Sequence, residues 1–280
     1  MSADFKTLAL VIYVAATLSA QSAYAKDSQK PLRLLVVPQF PVEEINASWR
    51  PVLRGISLKG APPIELIFAK DIGDFEAKFL AGEPDLIYCN PYHMVMARKA
   101  HGYSPILRDT KPMSGILVAP KSKNGVEIKS LSELQGKTLL FPSPNAFGAS
   151  LYMRALLTKE KGLSFVTKYV KTHPNVIRGV VADEGQAGGM VTATLNSEPD
   201  NLKERVKILY ETPPAAPHPI AAHPRVSNAA KEIITKFLID YLEQNPTIAE
   251  SVQIKTPVRA SYKNDYEHLE HLGLEAFVEK

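Results

Sequence analysis

Three short stretches carry residue types suited to holding a small polar molecule. They are Pro38-Gln39-Phe40-Pro41, Asn90-Pro91-Tyr92-His93 and PSPNAFGA at 142–149. Each follows an apolar run that reads as a strand, at 32–37, 85–89 and 137–141, and each precedes a helical pattern. In open α/β sheets ligands sit beyond the carboxyl ends of strands, where such loops lie. The third stretch has the most pointed chemistry. Its prolines stop the strand, and Gly148 and Ala149 let a ligand come close to the backbone. A helix start also presents unpaired N–H groups and about half a positive charge to an anion. Phe147 would then form an apolar wall. The competing reading is that Ser143 or Asn145 simply caps the helix. His173 follows the next strand, in Thr172-His173-Pro174-Asn175. It is either a donor to an oxyanion or a solvated surface histidine.

Other chemistries find no support in the residue pattern. There is no G-x-S-x-G elbow, H-E-x-x-H helix or phosphate-binding Walker loop. Ser150 follows Gly148-Ala149 with no Asp or His partner that the sequence places beside it. An enzyme is therefore not expected, and neither is a cofactor. His268 and His271 are spaced i,i+3 without a third ligand, so no metal site is expected. His218 and His223 flank a short extended run and read as structural. The single cysteine, Cys89, excludes an internal disulfide. It reads as a small buried hydrophobe, the alternative being a thiol for a soft ligand. The net charge of +4 is spread without any Lys/Arg run, which argues against nucleic acid and suits a protein that meets anions.

The elements that must position these loops come in sequence. Residues 1–25 have Lys6, an apolar run at 8–18 and a terminal Ala23-Tyr24-Ala25, the layout of a secretory signal peptide cleaved after Ala25. That apolar run is well short of the ~20 residues a spanning helix needs. Downstream, strand and helix patterns alternate: strands at 32–37, 64–69 and 85–89 with helices at 44–57, 75–80 and 92–101. A second series has helices at 130–134, 148–159 and 176–183 with strands at 137–141, 167–171 and 206–210, then an amphipathic helix at 228–243. Such alternation predicts βαβ units and mainly parallel sheets. Ser130 and Glu133 fit a capping box. GILVAP at 115–120 and the proline-rich run at 213–224 read as extended crossings between two lobes.

Four stretches, in order, resemble one family. LSELQGKTLLFPSPNAFGASLYMRALL (131–157) is similar to the ligand-holding segment of phosphate/phosphite/phosphonate-type periplasmic solute-binding proteins of ABC transporters. EPDLIYCNPYHMVMARKAHGYSPIL (83–107), THPNVIRGVVADEGQAGG (172–189) and HPIAAHPRV (218–226) resemble further segments of it. The resemblance implies an α/β, two-lobed type II periplasmic-binding-protein fold. Each lobe would be a mainly parallel sheet flanked by helices, joined by two crossing strands. Residues 26–115 with 223–280 would form lobe one and 116–222 lobe two. It implies a periplasmic monomer that captures a small anionic solute between the lobes and delivers it to a membrane permease. A sensor role beside a membrane histidine kinase is the alternative. The implied pocket takes Gln39, Phe40, Asn90, Tyr92, Ser143, Asn145, Ala146, Phe147 and His173.

Two departures stand out. The family's Ser-Thr-Ser-like hydroxyl run is replaced here by Asn145-Ala146-Phe147-Gly148-Ala149. Gln186 stands before Ala187-Gly188 where the family often has Asp, which argues against an aminated ligand. Each lost hydrogen bond to a charged oxygen is worth ~1.5–3 kcal/mol, so the ligand class itself is open to change. The signal-peptide reading predicts that the exported protein starts at Lys26. Its intact mass measures this, and retention of residues 1–25 would refute it.

Overall fold

The computed structural model describes residues 30–57, 62–122 and 127–279; the expected signal peptide lies outside them. The strands are β1 (Leu32–Val36), β2 (Ile64–Ile67), β3 (Leu86–Tyr88), β4 (Ser104–Asp109), β5 (Gly115–Pro120), β6 (Thr138–Phe141), β7 (Val166–Tyr169), β8 (Ala187–Val191), β9 (Val206–Glu211), β10 (Pro219–Ala222) and β11 (Pro257–Arg259). The helices are α1 (Val42–Ser57), α2 (Ile72–Leu80), α3 (Pro91–His101), α4 (Tyr152–Lys159), α5 (His173–Val181), α6 (Thr192–Ser197), α7 (Asp200–Lys203), α8 (Asn228–Gln244) and α9 (Pro246–Ser251). Among the described residues they build a six-stranded sheet, β11-β4-β10-β3-β1-β2, and a five-stranded sheet, β7-β6-β8-β5-β9. The two-lobed α/β architecture expected from the sequence is present.

Both sheets are mixed, which corrects the expectation of mainly parallel ones. β1 pairs in parallel with β2 and β3, whereas β10 runs antiparallel to β3 and β4. In the second sheet β6 lies parallel to β7 and β8, whereas β5 runs antiparallel to β8 and β9. The parallel strands are joined through helices, as β1–α1–β2–α2–β3 and β6–α4–β7–α5–β8. β5 follows β4, and β10 follows β9, with no helix between them, and each enters its sheet antiparallel to both neighbours.

The two crossing strands are corrected as well. GILVAP is β5, enclosed between β8 and β9, and the PIAA core of the proline-rich run is β10, enclosed between β3 and β4. Their apolar side chains are buried, as interior strands require. The chain passes between the sheets just outside them, at 110–114 and 212–218. There Met113 and Ala215 exchange both backbone hydrogen bonds, at 2.9 and 3.0 Å.

The helix expected at 148–159 also starts differently. Phe147–Leu151 form a π-helical turn, and regular α-helix begins only at Tyr152. This turn lies directly on the second sheet at two glycines. A Cβ on Gly115 would collide with the Gly148 carbonyl oxygen, and one on Gly189 with the Ala149 carbonyl oxygen. The extra residue of a π turn fits a helix start wedged in this way. One face of α4 (Tyr152, Ala155 and Leu156) joins the core of the first lobe together with Phe147 and Leu151. Met153 and Leu157 join a core on the second sheet. α4 is therefore the seam between the lobes. Gly189→Ala is expected to cost about 1–3 kcal/mol by overpacking, read from urea unfolding. Unchanged stability would show that the helix start does not depend on this approach.

Candidate functional site

The loops that follow β1, β3, β6 and β7 meet between the two sheets. They enclose a cavity of about 440 Å³, counted to its open mouth. Val37, Pro38 and Gln39 come from the first loop, Asn90 from the second and Pro142 and Ala146–Ala149 from the third. Lys171, Thr172 and His173 come from the fourth, and Met113 and His218 from the two segments that pass between the sheets. Among the described residues no carboxylate lines the cavity, and Lys171 is the one permanently charged side chain that does.

Three features give this cavity its chemistry. Ala146 precedes the π turn and no side chain caps it. The Ser150 and Leu151 amides bond the Ala146 carbonyl at 2.8 and 3.1 Å, so the amides of Phe147, Gly148 and Ala149 lie before the first intrahelical bond. His173 is the first residue of α5, whose cap is the Thr172 hydroxyl accepting from the Asn175 amide at 3.3 Å. It is 8% exposed, and its Nδ1 is enclosed without a hydrogen-bond partner. Burial pushes its imidazole down to about 4. His218 is equally buried, its Nε2 lying 2.9 Å from Gln39 Nε2. Burial, then the nearby rings of His93 and His173, push it down to about 3. Lys171 adopts φ of 75°, a left-handed conformation that an ordinary side chain seldom takes.

Five of the nine expected residues come together here: Gln39, Asn90, Ala146, Phe147 and His173. Four do not line the cavity. Phe40, 36% exposed, turns into a neighbouring hollow with Trp49 and Tyr88. Tyr92, 4% exposed, sits in the first-lobe core, because the start of α3 turns that face inward. The Ser143 hydroxyl is enclosed and unpartnered but off the cavity. Asn145 is buried and its side chain is fully engaged. Its amide nitrogen donates to Glu76 (3.0 Å) and to the Glu279 carbonyl (2.8 Å), and its Oδ1 accepts from the Glu279 amide (3.1 Å).

His218, expected to be structural, lines the cavity, and so does Lys171, which no sequence pattern singles out. The flanking prolines made His218 look like part of a connector, and the backbone turn that brings Lys171 to the rim leaves no trace in residue type. Gln186 does not line the cavity. Its side chain accepts from the Thr138 amide at 3.1 Å, at the start of β6 and away from the loops that form the cavity.

Asn145 belongs to a network that fastens the helix start to the first lobe. The Asn90 side chain donates to the Asn145 carbonyl at 3.1 Å, and His93 pairs with Glu76 at 2.9 Å. Buried Arg154 donates to the carbonyls of Pro144 and Phe277 at 2.8 and 2.7 Å and to Glu279 at 3.0 Å. Tyr169 also donates to Glu279.

Residues 34–266 match the family described as ABC transporter, phosphonate, periplasmic substrate-binding protein. No curated protein matches the sequence. Several solved structures share the fold. PhnD1 from Prochlorococcus marinus, in complex with methylphosphonate, superposes with a TM-score of 0.77 at 15% identity, over 89% of this chain and 99% of that one. A binding protein component of an ABC phosphonate transporter from Pseudomonas aeruginosa gives 0.73 at 13% identity, over 88% and 86%. A Xanthomonas citri protein bound to ATP gives 0.71 at 15% identity, over 89% and 99%.

The fastening network generates its own test. Arg154→Met keeps the bulk of the side chain but strands the Pro144 and Phe277 carbonyls and leaves the Glu279 carboxylate with Tyr169 as its remaining partner. It is expected to lower unfolding stability by about 1.5–3 kcal/mol. A loss within measurement error would show that the network does not hold the helix start.

Proposed function

This chain belongs to the periplasmic substrate-binding proteins of phosphonate ABC transporters, and we propose that it captures a small oxyanion in the cavity between its lobes and presents it to a transporter permease. Membership makes it a periplasmic solute-binding protein rather than an enzyme, with a small-molecule ligand and a permease partner. Among the described residues no helix is long and apolar enough to cross a membrane. We further propose that the protein works as a monomer, with residues up to 109 and from 219 as one lobe and 115–211 as the other, in place of the expected division into 26–115 with 223–280 and 116–222. The passing segments at 110–114 and 212–218 are the natural place for the lobes to flex.

One observation carries the oxyanion reading: the uncapped helix start at 147–149 lines the cavity. Helix N-termini bind anions because their amides point outward and the peptide dipoles add. The absence of a lining carboxylate among the described residues supports a solute without a cationic group, since such a group would be desolvated without a counter-charge. Glu76 cannot take that role, being committed to His93 and Asn145. With Phe147, Ile72, Val191 and Met113 around it, the cavity offers more apolar wall than hydroxyl donors. A phosphonate, phosphite or phosphate-like anion with at most a small apolar substituent suits that lining.

A thermal-shift series with methylphosphonate, phosphite, phosphate and sulfate tests this. A ligand at a hundred times its Kd adds about 2.7 kcal/mol of stability. His173→Ala is expected to weaken binding of the best anion by about 1–3 kcal/mol with an unchanged circular-dichroism spectrum. If none of the four raises Tm, or if the variant binds like the parent, the proposed site is wrong.

A further inference from the structure

We propose that an oxyanion entering this cavity brings a proton with it, so that the buried histidines His173 and His218 become its charge partners. The inference rests on the oxyanion reading above and adds how the charge of the ligand is balanced. No arginine lines the cavity among the described residues, and the only permanent cation, Lys171, is an exposed side chain at its rim. An anion drawn into so enclosed a space needs compensation that the helix start, with about half a charge, supplies only in part.

The two imidazoles are placed to supply the rest. His173 opens α5 with an enclosed, unpartnered Nδ1. His218 stands in the segment before β10, beside Gln39 at 2.9 Å, with its ring centroid 5.6 Å from that of Tyr88. The groups facing the pair from the packed elements are Gln39 after β1, Tyr88 on β3, His93 on α3 and Lys171 at the rim. Burial favours the neutral form of both rings in the empty protein, and His93 adds to this at His218. The carboxylate of α2, Glu76, is held by His93 and Asn145. Burial, then the nearby Asp109, raise the pKa of Tyr88.

The direction follows. Burial holds both rings neutral at neutral and mildly acid pH, with pKa values of about 4 and about 3. A bound anion favours the charged form and raises those values. Protons are then taken up on binding, and affinity climbs as pH falls, by about tenfold per pH unit for each proton taken up. The empty protein behaves oppositely. Both folded pKa values lie below the unfolded one of 6.5, so its stability is full above about 6.5 and declines as pH falls toward about 4.

Calorimetric titration with methylphosphonate, phosphate and phosphite, in buffers of different ionisation enthalpy at about pH 6, counts the protons taken up beyond those the anion itself exchanges. Nitrogen NMR of the imidazoles, assigned with the His173→Gln and His218→Gln variants, shows where they go. The expected result is proton uptake with at least one of the two rings turning from neutral imidazole to imidazolium on binding. Binding with both rings unchanged overturns the proton coupling and leaves the oxyanion reading standing. If none of these anions binds between about pH 5 and pH 8, the oxyanion reading falls and the coupling with it.

Discussion

The site depends on how closely one stretch of backbone can approach one sheet. The carbonyls of Gly148 and Ala149 sit where any side chain on Gly115 or Gly189 would intrude. Because those two strand positions are glycines, the helix start settles onto β5 and β8 and the backbone of residues 146–149 becomes part of the cavity wall. A helix held a side chain's width further out would leave its first amides over open solvent, where water would satisfy them. The π turn is the local adjustment by which a helix begins in so tight a space. Binding geometry and sheet packing are here one constraint, imposed by the absence of two β-carbons.

The same helix joins the lobes. One face of α4 belongs to the first-lobe core and another to a core of the second. Arg154, on this helix, is buried because its donors meet carbonyls and a carboxylate, which offset the cost of removing a guanidinium from water. Relative movement of the lobes must therefore leave this side fixed and open the opposite one, or else break a charged network. The Asn90–Asn145–Glu76 contacts carry that fastening to the loop that lines the cavity.

Much of the architecture was legible because parallel strands with helical returns write a repeating pattern. The runs 32–37, 137–141 and 206–210 fall on β1, β6 and β9. β4 and β11 do not follow from the pattern, since SPILRD holds only a short apolar centre between polar ends, PVR is three residues long, and the two pair antiparallel with each other from distant parts of the chain. At the cavity, chain position after a strand was a good guide: Gln39, Asn90, Phe147 and His173 follow from it. Side-chain direction was not legible. Tyr92 lies two residues beyond Asn90 yet faces the core, and Asn145, beside Ala146, spends its amide on Glu76 and Glu279. Those partners are 69 and 134 residues away in sequence. His218 was legible as a residue type and obscured by its prolines.

Cys89, the chain's single thiol, gives the first lobe a private clock. It is wholly buried where β3 ends, with its amide bonded to Pro219 of β10, and burial raises its pKa. An alkylating reagent can reach the thiolate only when that part of the six-stranded sheet comes apart. The labelling rate of the unmodified protein then follows the undoing of one lobe while the other goes unrecorded.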